Sequence, residues 1–303
     1  MNKKYLQIID ELGADRILQN EPLSLHCTFK IGGPSDLFYV AKTEEEIIKA
    51  VLLARKFNIS YFILGGGSNT LVSDEGFRGL VIKNEISSLE LSNLDKEIKV
   101  IAGAGLKLSV FLGELLKNSL SGLEFMVGIP GTVGGAIRGN AGAFGELMGD
   151  KVIRVKILSK EGRIDWVNKE DCQFDYRESR FKHNDEIILK AEFLLEKTAQ
   201  KEIAQKIAEY LNKRNGLPKE PSAGCVFVNP KPLGAGALID QCNLKGKKIG
   251  NAIISEKHAN FIVNTGGAKA KDVINLALLI KEKVKEKFGI ELKEEIVLLG
   301  FDK

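Results

Sequence analysis

The stretch YFILGGGSN, from Tyr61 to Asn69, is the most informative part of the sequence, because a predicted strand runs directly into three glycines. Consecutive glycines permit positive φ angles and leave backbone N–H groups available to an anion such as a pyrophosphate. Ser68 and Asn69 add side-chain donors. A tight turn is the commoner role of isolated glycines. Three in a row after a buried strand favour a phosphate-binding loop instead.

This loop does not match the common nucleotide-binding motifs. No Lys-Ser or Lys-Thr pair follows the glycines, so the pattern excludes the P-loop of nucleotide hydrolases. Neither GGGSNT at 65–70 nor GAGLKL at 103–108 completes the GxGxxG fingerprint of dinucleotide-binding domains. The sequence therefore disfavours an ordinary Rossmann domain.

A second glycine cluster, GIPGTVGGAIRGNAGAFG, extends from Gly128 to Gly145. It is too rich in glycine for a standard helix, and it is long enough to lie against a flat ring or a second phosphate group. A glycine-rich packing crossover between two layers is the structural alternative. Taken alone, the cluster gives these two interpretations nearly equal weight.

Composition narrows the class of protein. The 303 residues are 44% hydrophobic and 28% charged, which suits a globular chain of two or three packed units. The 44 basic and 40 acidic residues are interspersed, so no block of charge marks a nucleic-acid or membrane partner. No apolar run reaches the roughly 18 residues of a membrane span. The charged start MNKKYLQIIDELG is unlike a signal peptide, so we expect a cytoplasmic protein.

The cysteines predict neither a metal site nor a disulfide framework. None of them belongs to a CxxC pair, so we expect free thiols and no bound metal. The cysteines are Cys27, Cys172, Cys225 and Cys242.

Hydrophobic spacing predicts helices and strands that alternate too irregularly for a simple doubly wound sheet. Thr43 and Glu46 form a capping-box pattern ahead of one helix. The predicted helices are 4–18, 47–57, 108–116, one that ends near 213, one near 237, and 271–288. The predicted strands are 61–64, 80–82, 98–102, 152–158, 163–167, 186–194, 225–228, 252–254, 261–263 and 294–299. The polar stretch 196–200 predicts a domain boundary.

The two glycine clusters and four further segments resemble the UDP-N-acetylenolpyruvoylglucosamine reductases, also called UDP-N-acetylmuramate dehydrogenases. The further segments are TFKIGGPSD from Thr28, YRES from Tyr176, PSAGCVFVNP from Pro221 and ELKEEIVLLG from Glu291. They follow the family's order and approximate spacing over almost the whole chain, which chance does not readily produce. The match is of the type with the shorter loop, because the stretch between Arg177 and Cys225 lacks room for an extra tyrosine-bearing loop.

The resemblance implies an α+β fold with a vanillyl-alcohol-oxidase-type FAD-binding domain in two subdomains, followed by a C-terminal α+β substrate-binding domain. We expect the FAD-binding domain at 1–197, divided near 75–80, and the substrate-binding domain at 198–303. By the same resemblance, FAD is bound without a covalent bond. Gly65, Gly66, Gly67, Ser68 and Asn69 would hold its pyrophosphate, and Thr132, Gly134, Asn140 and Gly142 would line the flavin.

The implied reaction reduces the enolpyruvyl group of a UDP-sugar to give UDP-N-acetylmuramate, a precursor of peptidoglycan. NADPH gives a hydride to FAD, and reduced FAD gives it to the vinyl carbon. The adjacent carbon and its carboxylate then carry negative charge, so the site needs a cation or donor and an acid. The expected partners are thus NADPH and a UDP-sugar, and we expect a monomer.

Two charged residues match the family's catalytic positions. Arg177 in YRES would steady the enolate, since a guanidinium is permanently charged and grips a carboxylate with two bonds. A surface salt bridge is the usual role of a lone arginine. Glu295 would help to polarise the substrate carboxylate, as an acid or through a water. Without the resemblance, an exposed glutamate beside Glu294 would be the simpler interpretation.

Cys225 departs from the family pattern in an informative way. Family members commonly carry a serine at this point of the motif, where its hydroxyl protonates the carbanion, whereas this sequence reads GCVFVNP. A thiol is far more acidic than a serine hydroxyl, so Cys225 is expected to donate the proton. A buried core thiol is the usual role of cysteine. We assign that role to Cys27, Cys172 and Cys242.

Four further residues are expected to bind the substrate. Asn229 and Arg214 match family positions, Tyr176 belongs to the YRES segment, and His258 in SEKHANF would line the pocket. Arg214 would meet the phosphates of the substrate. A structural role for His258 is at least as common at such a position. Val228 and Val297 stand where relatives often have polar or basic side chains, so some diphosphate contacts must come from elsewhere.

The sequence leaves two other functions open. One is an oxidase of the same FAD fold that passes electrons to oxygen, against which the GCVFVNP segment and the absence of a flavin-tethering motif argue. The other is a catalytically silent nucleotide-binding protein. The joint presence of the arginine, the proton donor and the glutamate argues against it.

Overall fold

The structure, a computed structural model, describes residues 3–94 and 97–301. Contacts divide the described residues into two compact units. The first lies within Met1–Ile17, Tyr39–Gly66 and Ile82–Asn215, and the second within Leu18–Phe38, Gly67–Val81 and Gly216–Lys303. Both units are therefore assembled from distant parts of the chain. The expected domains 1–197 and 198–303 remain a prediction, because these units follow contacts rather than sequence order.

Apart from the N-terminal helix, each predicted helix lies close to a helix of the structure. Thr43 caps the second helix as the sequence pattern indicates, since its side chain accepts a 3.3 Å hydrogen bond from the backbone N–H of Glu46. In the described residues the α-helices are α1 (Lys3–Leu12), α2 (Glu44–Lys56), α3 (Leu108–Lys117), α4 (Val133–Arg138), α5 (Gln200–Arg214), α6 (Ala235–Gln241) and α7 (Ala270–Phe288).

The strands are more numerous than predicted, because many are too short for a periodic signal. They are β1 (Ile17–Pro22), β2 (Pro34–Ala41), β3 (Tyr61–Leu64), β4 (Thr70–Val72), β5 (Phe77–Asn84), β6 (Leu89–Leu94), β7 (Glu97–Gly103), β8 (Leu120–Ser121), β9 (Gly142–Ala143), β10 (Glu146–Leu147), β11 (Val152–Leu158), β12 (Ile164–Asn168), β13 (Ile187–Lys197), β14 (Lys248–Ile249), β15 (Ala252–Ile254), β16 (Ile262–Asn264) and β17 (Val297–Leu299). The predicted strands 61–64, 152–158 and 252–254 match in full.

The N-terminal helix is shorter than the prediction of 4–18. It ends at Leu12 because Gly13 takes a φ of +96°, a conformation that glycine adopts at little cost. A 3₁₀ turn follows, and Ile17, which the helical pattern had included, begins β1 instead.

The first unit is built on an antiparallel sheet in the order β12-β11-β13-β7-β6, with β8 also paired to β13. Helices α3 and α4 contribute to the core on this sheet, which includes Phe111, Phe125, Ile137 and Phe193. Burial of these large side chains supplies most of the driving force for folding of the unit. The loops between α3 and β11 carry the second glycine cluster.

The second unit contains the antiparallel sheet β14-β15-β16, covered by α7, and the parallel pair β4 and β17. The predicted strand 225–228 is wrong: isolated bridges join Cys225 to Phe261 and Phe227 to Glu294. Of the predicted strand 294–299, the last three residues form a strand, β17. The carboxylate of Asp74 accepts hydrogen bonds from the backbone N–H groups of Ala270 and Lys271, and so caps α7.

Asn260 is 1% exposed and holds the segment that follows Cys225. Its side chain accepts from the N–H of Phe227 at 3.0 Å and donates to the carbonyl of Phe227 at 2.7 Å. Asn260→Ala leaves both groups buried without partners, so we expect the free energy of unfolding to fall by about 2–4 kcal/mol. Urea denaturation followed by circular dichroism measures this loss. Asn184→Ala, which removes an exposed amide, is the control, and an equal loss in both variants would contradict the assignment.

Among the described residues, no helix is both long enough and apolar enough to span a bilayer.

Candidate active site

The first glycine loop follows β3 and lies against the second glycine cluster. A Cβ on Gly65 would stand 2.6 Å from Oγ1 of Thr132, and one on Gly66 would stand 2.7 Å from Cα of Gly131. Real Cβ atoms essentially never come within 3.0 Å of another heavy atom, so a side chain at either position would force its neighbour, the Thr132 side chain or the Gly131 backbone, to shift. Gly67 has a φ of +62°, and its carbonyl accepts a 3.0 Å hydrogen bond from the N–H of Thr28. The loop is therefore held in one conformation by backbone contacts.

The second glycine cluster contains a short helix, contrary to the prediction that it is too glycine-rich for one. Thr132 is buried and caps α4, its Oγ1 accepting from the N–H of Gly135 at 3.4 Å. Gly134 packs on Ala104, where a Cβ would lie 2.8 Å from that of the alanine. Close packing between segments is thus a demonstrated role of this cluster, and contact with a flavin at Gly134 stays a prediction.

Asn140 and Gly142, two residues expected to line the flavin, are both engaged by protein groups. Oδ1 of Asn140 accepts from the N–H of Gly149, and its Nδ2 donates to the carbonyl of Asp175, each at 2.8 Å. The carbonyl of Gly142 accepts a 3.1 Å hydrogen bond from Nη1 of Arg177. These contacts attach the YRES segment to the second glycine cluster within the first unit.

Arg177 has a φ of +58°, which is uncommon for a residue with a Cβ. Its guanidinium lies 5.6 Å from the ring centroid of Tyr176, whose side chain is exposed. Its carbonyl accepts from Nζ of Lys182 at 2.8 Å. An unusual backbone conformation that is fixed by its neighbours is characteristic of functional positions.

Arg214, the last residue of α5, lies near Arg177 in the first unit. Burial and the positive charge of Arg177 both lower the pKa of Arg214. Nη2 of Arg214 donates to the carbonyl of Phe125 at 3.3 Å, and among the described residues its buried Nε has no hydrogen-bond partner. Both guanidinium groups contact the same short segment, Arg177 at the carbonyl of Gly142 and Arg214 at the ring of Phe144, and two cations on one segment suit an anionic ligand.

Cys225 and Glu295 lie in neighbouring stretches of backbone in the second unit. The N–H of Glu295 donates to the carbonyl of Val226 at 2.8 Å, directly after Cys225. Asn69 of the first glycine loop joins the same group: its Nδ2 donates to the carbonyl of Glu295 at 3.0 Å, and its carbonyl accepts from the N–H of Val297 at 2.8 Å. The structure therefore brings three predicted site residues together.

The remaining substrate positions have structural contacts of their own. Oδ1 of Asn229 accepts from the N–H of Ala235 at the start of α6, at 2.9 Å. His258 is half-buried, which lowers its pKa, and its Nδ1 accepts from the N–H of Asn260 at 3.3 Å. A structural role accounts for these bonds, so substrate contact by either residue stays a prediction.

No disulfide links the four cysteines, as expected. Cys27 and Cys172 are buried, and their thiols donate to the carbonyls of Ile31 and Asn168. Burial raises the pKa of Cys172 to about 12, so this thiol remains protonated. Cys242 is partly buried beside the carbonyl of Lys283. These three thiols act as core groups, in agreement with the sequence analysis.

A cluster of aromatic side chains beside the arginines was not predicted from the sequence. Phe144, from the GAFG end of the second glycine cluster, stacks on Tyr210 of α5, with Arg214 over its ring. The available signal was an aromatic residue inside a glycine-rich segment, together with the four-residue spacing of Tyr210 and Arg214 on one helix.

Fold and site together define an FAD-dependent oxidoreductase. Residues 35–168 match the family model of an FAD binding domain. The first glycine loop suits that cofactor, because a run of glycines leaves its backbone N–H groups uncovered by side chains and available to a pyrophosphate. The sequence-based expectations of an α+β FAD-binding fold and of FAD as cofactor are confirmed.

Comparison with known proteins identifies the family. Residues 217–299 match the model of the UDP-N-acetylenolpyruvoylglucosamine reductase C-terminal domain. The reductase of Carboxydothermus hydrogenoformans is 44% identical over 287 residues, 94% of each chain, and that of Lachnoclostridium phytofermentans is 40% identical over 99% of this chain and 98% of its own. The crystal structure of the Thermus caldophilus enzyme aligns with a TM-score of 0.79 at 35% identity, covering 93% of this chain and 98% of that one. The chain belongs to the UDP-N-acetylenolpyruvoylglucosamine reductase family.

Proposed function

We propose that this protein reduces the enolpyruvyl group of UDP-N-acetylglucosamine enolpyruvate with NADPH, and so supplies UDP-N-acetylmuramate for peptidoglycan. The observation that carries the proposal is the group formed by Cys225, Glu295 and Asn69, which joins a proton donor and a carboxylate to the cofactor loop. The names of the relatives support the same substrate. A cytoplasmic monomer suits this soluble, nucleotide-linked substrate.

The arginines provide for the anionic substrate. The redox chemistry that bound FAD supplies is hydride transfer from NADPH to the vinyl carbon. The adjacent carbon then carries negative charge that extends into its carboxylate, and the guanidinium of Arg177 stabilises it there. Arg214, whose guanidinium lies over the ring of Phe144, binds a phosphate group of the substrate.

Cys225 completes the addition. Its Sγ–H transfers a proton to the charged carbon, which gives the lactyl ether, and the thiolate takes a proton back from solvent in the next cycle. Glu295, whose backbone is bonded to the residue after Cys225, orients the substrate carboxylate as an acid or through a water. Hydride and proton together saturate the double bond, so atoms and charge balance.

The experiment is a pair of flavin half-reactions. The purified yellow protein is bleached with NADPH without oxygen, and UDP-N-acetylglucosamine enolpyruvate is then added. Rapid return of the flavin absorbance, with formation of UDP-N-acetylmuramate, supports the function. Return of colour with oxygen alone would favour an oxidase, and a colourless protein would overturn the proposal.

Gly66→Ala is expected to weaken FAD binding at least about tenfold, near 1.4 kcal/mol. The new Cβ would lie 2.7 Å from Cα of Gly131, so the loop must shift. The ratio of flavin to protein absorbance after dialysis, followed by titration with FAD, measures the loss. Gly113→Ala is the matched control, since nothing lies within 4 Å of its Cβ in α3. Full flavin retention by Gly66→Ala would contradict the role of this loop.

A further inference from the structure

A small hairpin links the second glycine cluster to the arginines. Strands β9 and β10 pair with Ala143 opposite Glu146 and Gly142 opposite Leu147. Phe144 and Gly145 form the turn with φ angles of +58° and +91°, as a two-residue hairpin turn requires. The carbonyl that holds Nη1 of Arg177 belongs to Gly142 in this hairpin. Movement of the hairpin therefore moves the partner of Arg177.

Tyr210 attaches helix α5 to the hairpin. The hydroxyl of Tyr210 donates a short hydrogen bond to the carboxylate of Glu146. This bond, together with burial, raises the pKa of Tyr210 to about 12, so the hydroxyl keeps its proton at any physiological pH. The Tyr210 ring also stacks on Phe144, with centroids 5.1 Å apart and planes 16° apart. One hydrogen bond and one ring contact thus attach the helix to the hairpin.

Arg214 lies four residues after Tyr210, and residues at this spacing share a helix face. Its guanidinium stands 5.2 Å from the centroid of Phe144. The buried residue of this fully described helix is Ile203, near its start, and the C-terminal half is held at the hairpin and by the hydrogen bond from Nη2 of Arg214 to the carbonyl of Phe125. The contacts of Tyr210 and Arg214 therefore set where the C-terminal half of α5 lies.

The arginines need such a restraint because like charges repel. Arg177 and Arg214 are close enough for the charge of one to lower the pKa of the other. Without an anion between them, separation of the two guanidinium groups lowers their electrostatic repulsion. A helix and a hairpin that are tied together prevent this separation before the ligand arrives. Preorganised cations of this kind stabilise developing negative charge most effectively.

We propose that Tyr210 and Glu146 are positioning residues for Arg177, and that their hydrogen bond is a latch that holds the hairpin on α5 and keeps Arg177 beside Arg214. The proposal rests on the function proposed above for Arg177. It deepens that function by assigning two residues that do not touch the reacting atoms.

Tyr210→Phe tests the latch, since it keeps the ring and removes the donor. We expect the rate of reoxidation by UDP-N-acetylglucosamine enolpyruvate at saturation to fall roughly tenfold, because displacement of a catalytic group by a fraction of an ångström has such effects. Reduction by NADPH should stay within twofold. Glu146→Ala should slow reoxidation as much as Tyr210→Phe does. Glu146→Gln should recover most of the rate, because the amide oxygen is still an acceptor. The double variant Tyr210→Phe/Glu146→Ala should reoxidise no more slowly than either single variant.

The control is Glu209→Ala, which removes the acceptor of a 3.1 Å bond from Gln205 within α5. It should reoxidise at the wild-type rate, and thermal melts should show every variant folded. Wild-type speed in Tyr210→Phe, or equal slowing of both half-reactions, would overturn the latch. Failure of the proposed function is distinct, because the wild type itself would then not reoxidise. In that case the latch is tested by calorimetry, which measures the affinity of the wild type and of Tyr210→Phe for inorganic pyrophosphate. The latch predicts about fivefold weaker binding by Tyr210→Phe, and an unchanged affinity would contradict it.

Discussion

Cys225→Ala is expected to slow reoxidation by UDP-N-acetylglucosamine enolpyruvate about 10³-fold while reduction by NADPH stays within twofold. General acids contribute roughly 10²–10⁴-fold to such proton transfers. The substitution removes the thiol but leaves the backbone bridge to Phe261 and the bond between Val226 and Glu295 in place. Stopped-flow absorbance of the flavin measures both half-reactions in one preparation.

Cys225→Ser is the matched control for this prediction. Its hydroxyl fills nearly the same volume and donates a proton at the same point, so reoxidation should stay within about tenfold of the wild type. Equal slowing of both half-reactions in Cys225→Ala would remove the proton-donor role. A serine variant as slow as the alanine variant would show that the site depends on the thiol itself rather than on a donor.

Arg177→Lys is expected to lower the reoxidation rate by about 10²–10³-fold, the typical effect of removing one donor that stabilises an oxyanion. Lysine keeps the charge but loses the planar fork, so it cannot bind both oxygens of a carboxylate as a bidentate pair while it also bonds the Gly142 carbonyl. Lysine and arginine have the same backbone preference, so the positive φ at this position does not confound the comparison. The measurement is again single-turnover reoxidation, at several substrate concentrations.

The control for Arg177→Lys is Arg180→Lys three residues later. Arg180 donates to the carbonyl of Asp171 and pairs with Glu186, both within the first unit. Its replacement should leave both half-reactions within twofold. If Arg177→Lys raised only the KM for the substrate at unchanged maximal rate, Arg177 would be a binding residue, and the enolate role would be excluded.

Local signals in the sequence predicted the parts of the fold that depend on local physics. The capping residue Thr43 and the strands 61–64 and 152–158 each follow from a few adjacent side chains. The errors also have local causes. Gly13 ends α1 in a left-handed conformation that a hydrophobic pattern does not reveal, and Thr132 caps a helix in a segment whose composition argued against one.

The site needed information that no local pattern contains. The bond between Asn69 and Glu295 depends on the parallel pairing of β4 with β17, and such pairs leave no trace in periodicity. The same holds for Tyr210 and Glu146, because Glu146 lies in the hairpin that precedes β11 and Tyr210 lies in the helix that follows β13. Resemblance to a family named the catalytic residues, whereas only the fold revealed what holds Arg177.

The pairing of β4 with β17 also bears on how the protein is made. Thr70 leaves the ribosome long before its partner Val297 is synthesised, and most of the chain separates the two. Strand β4 therefore has no partner strand during most of translation. The first unit can fold earlier, because its last residue is Asn215. Contacts so distant in sequence form slowly. A chain that ends before β17 would therefore expose an unpaired β4, which favours binding by chaperones and aggregation.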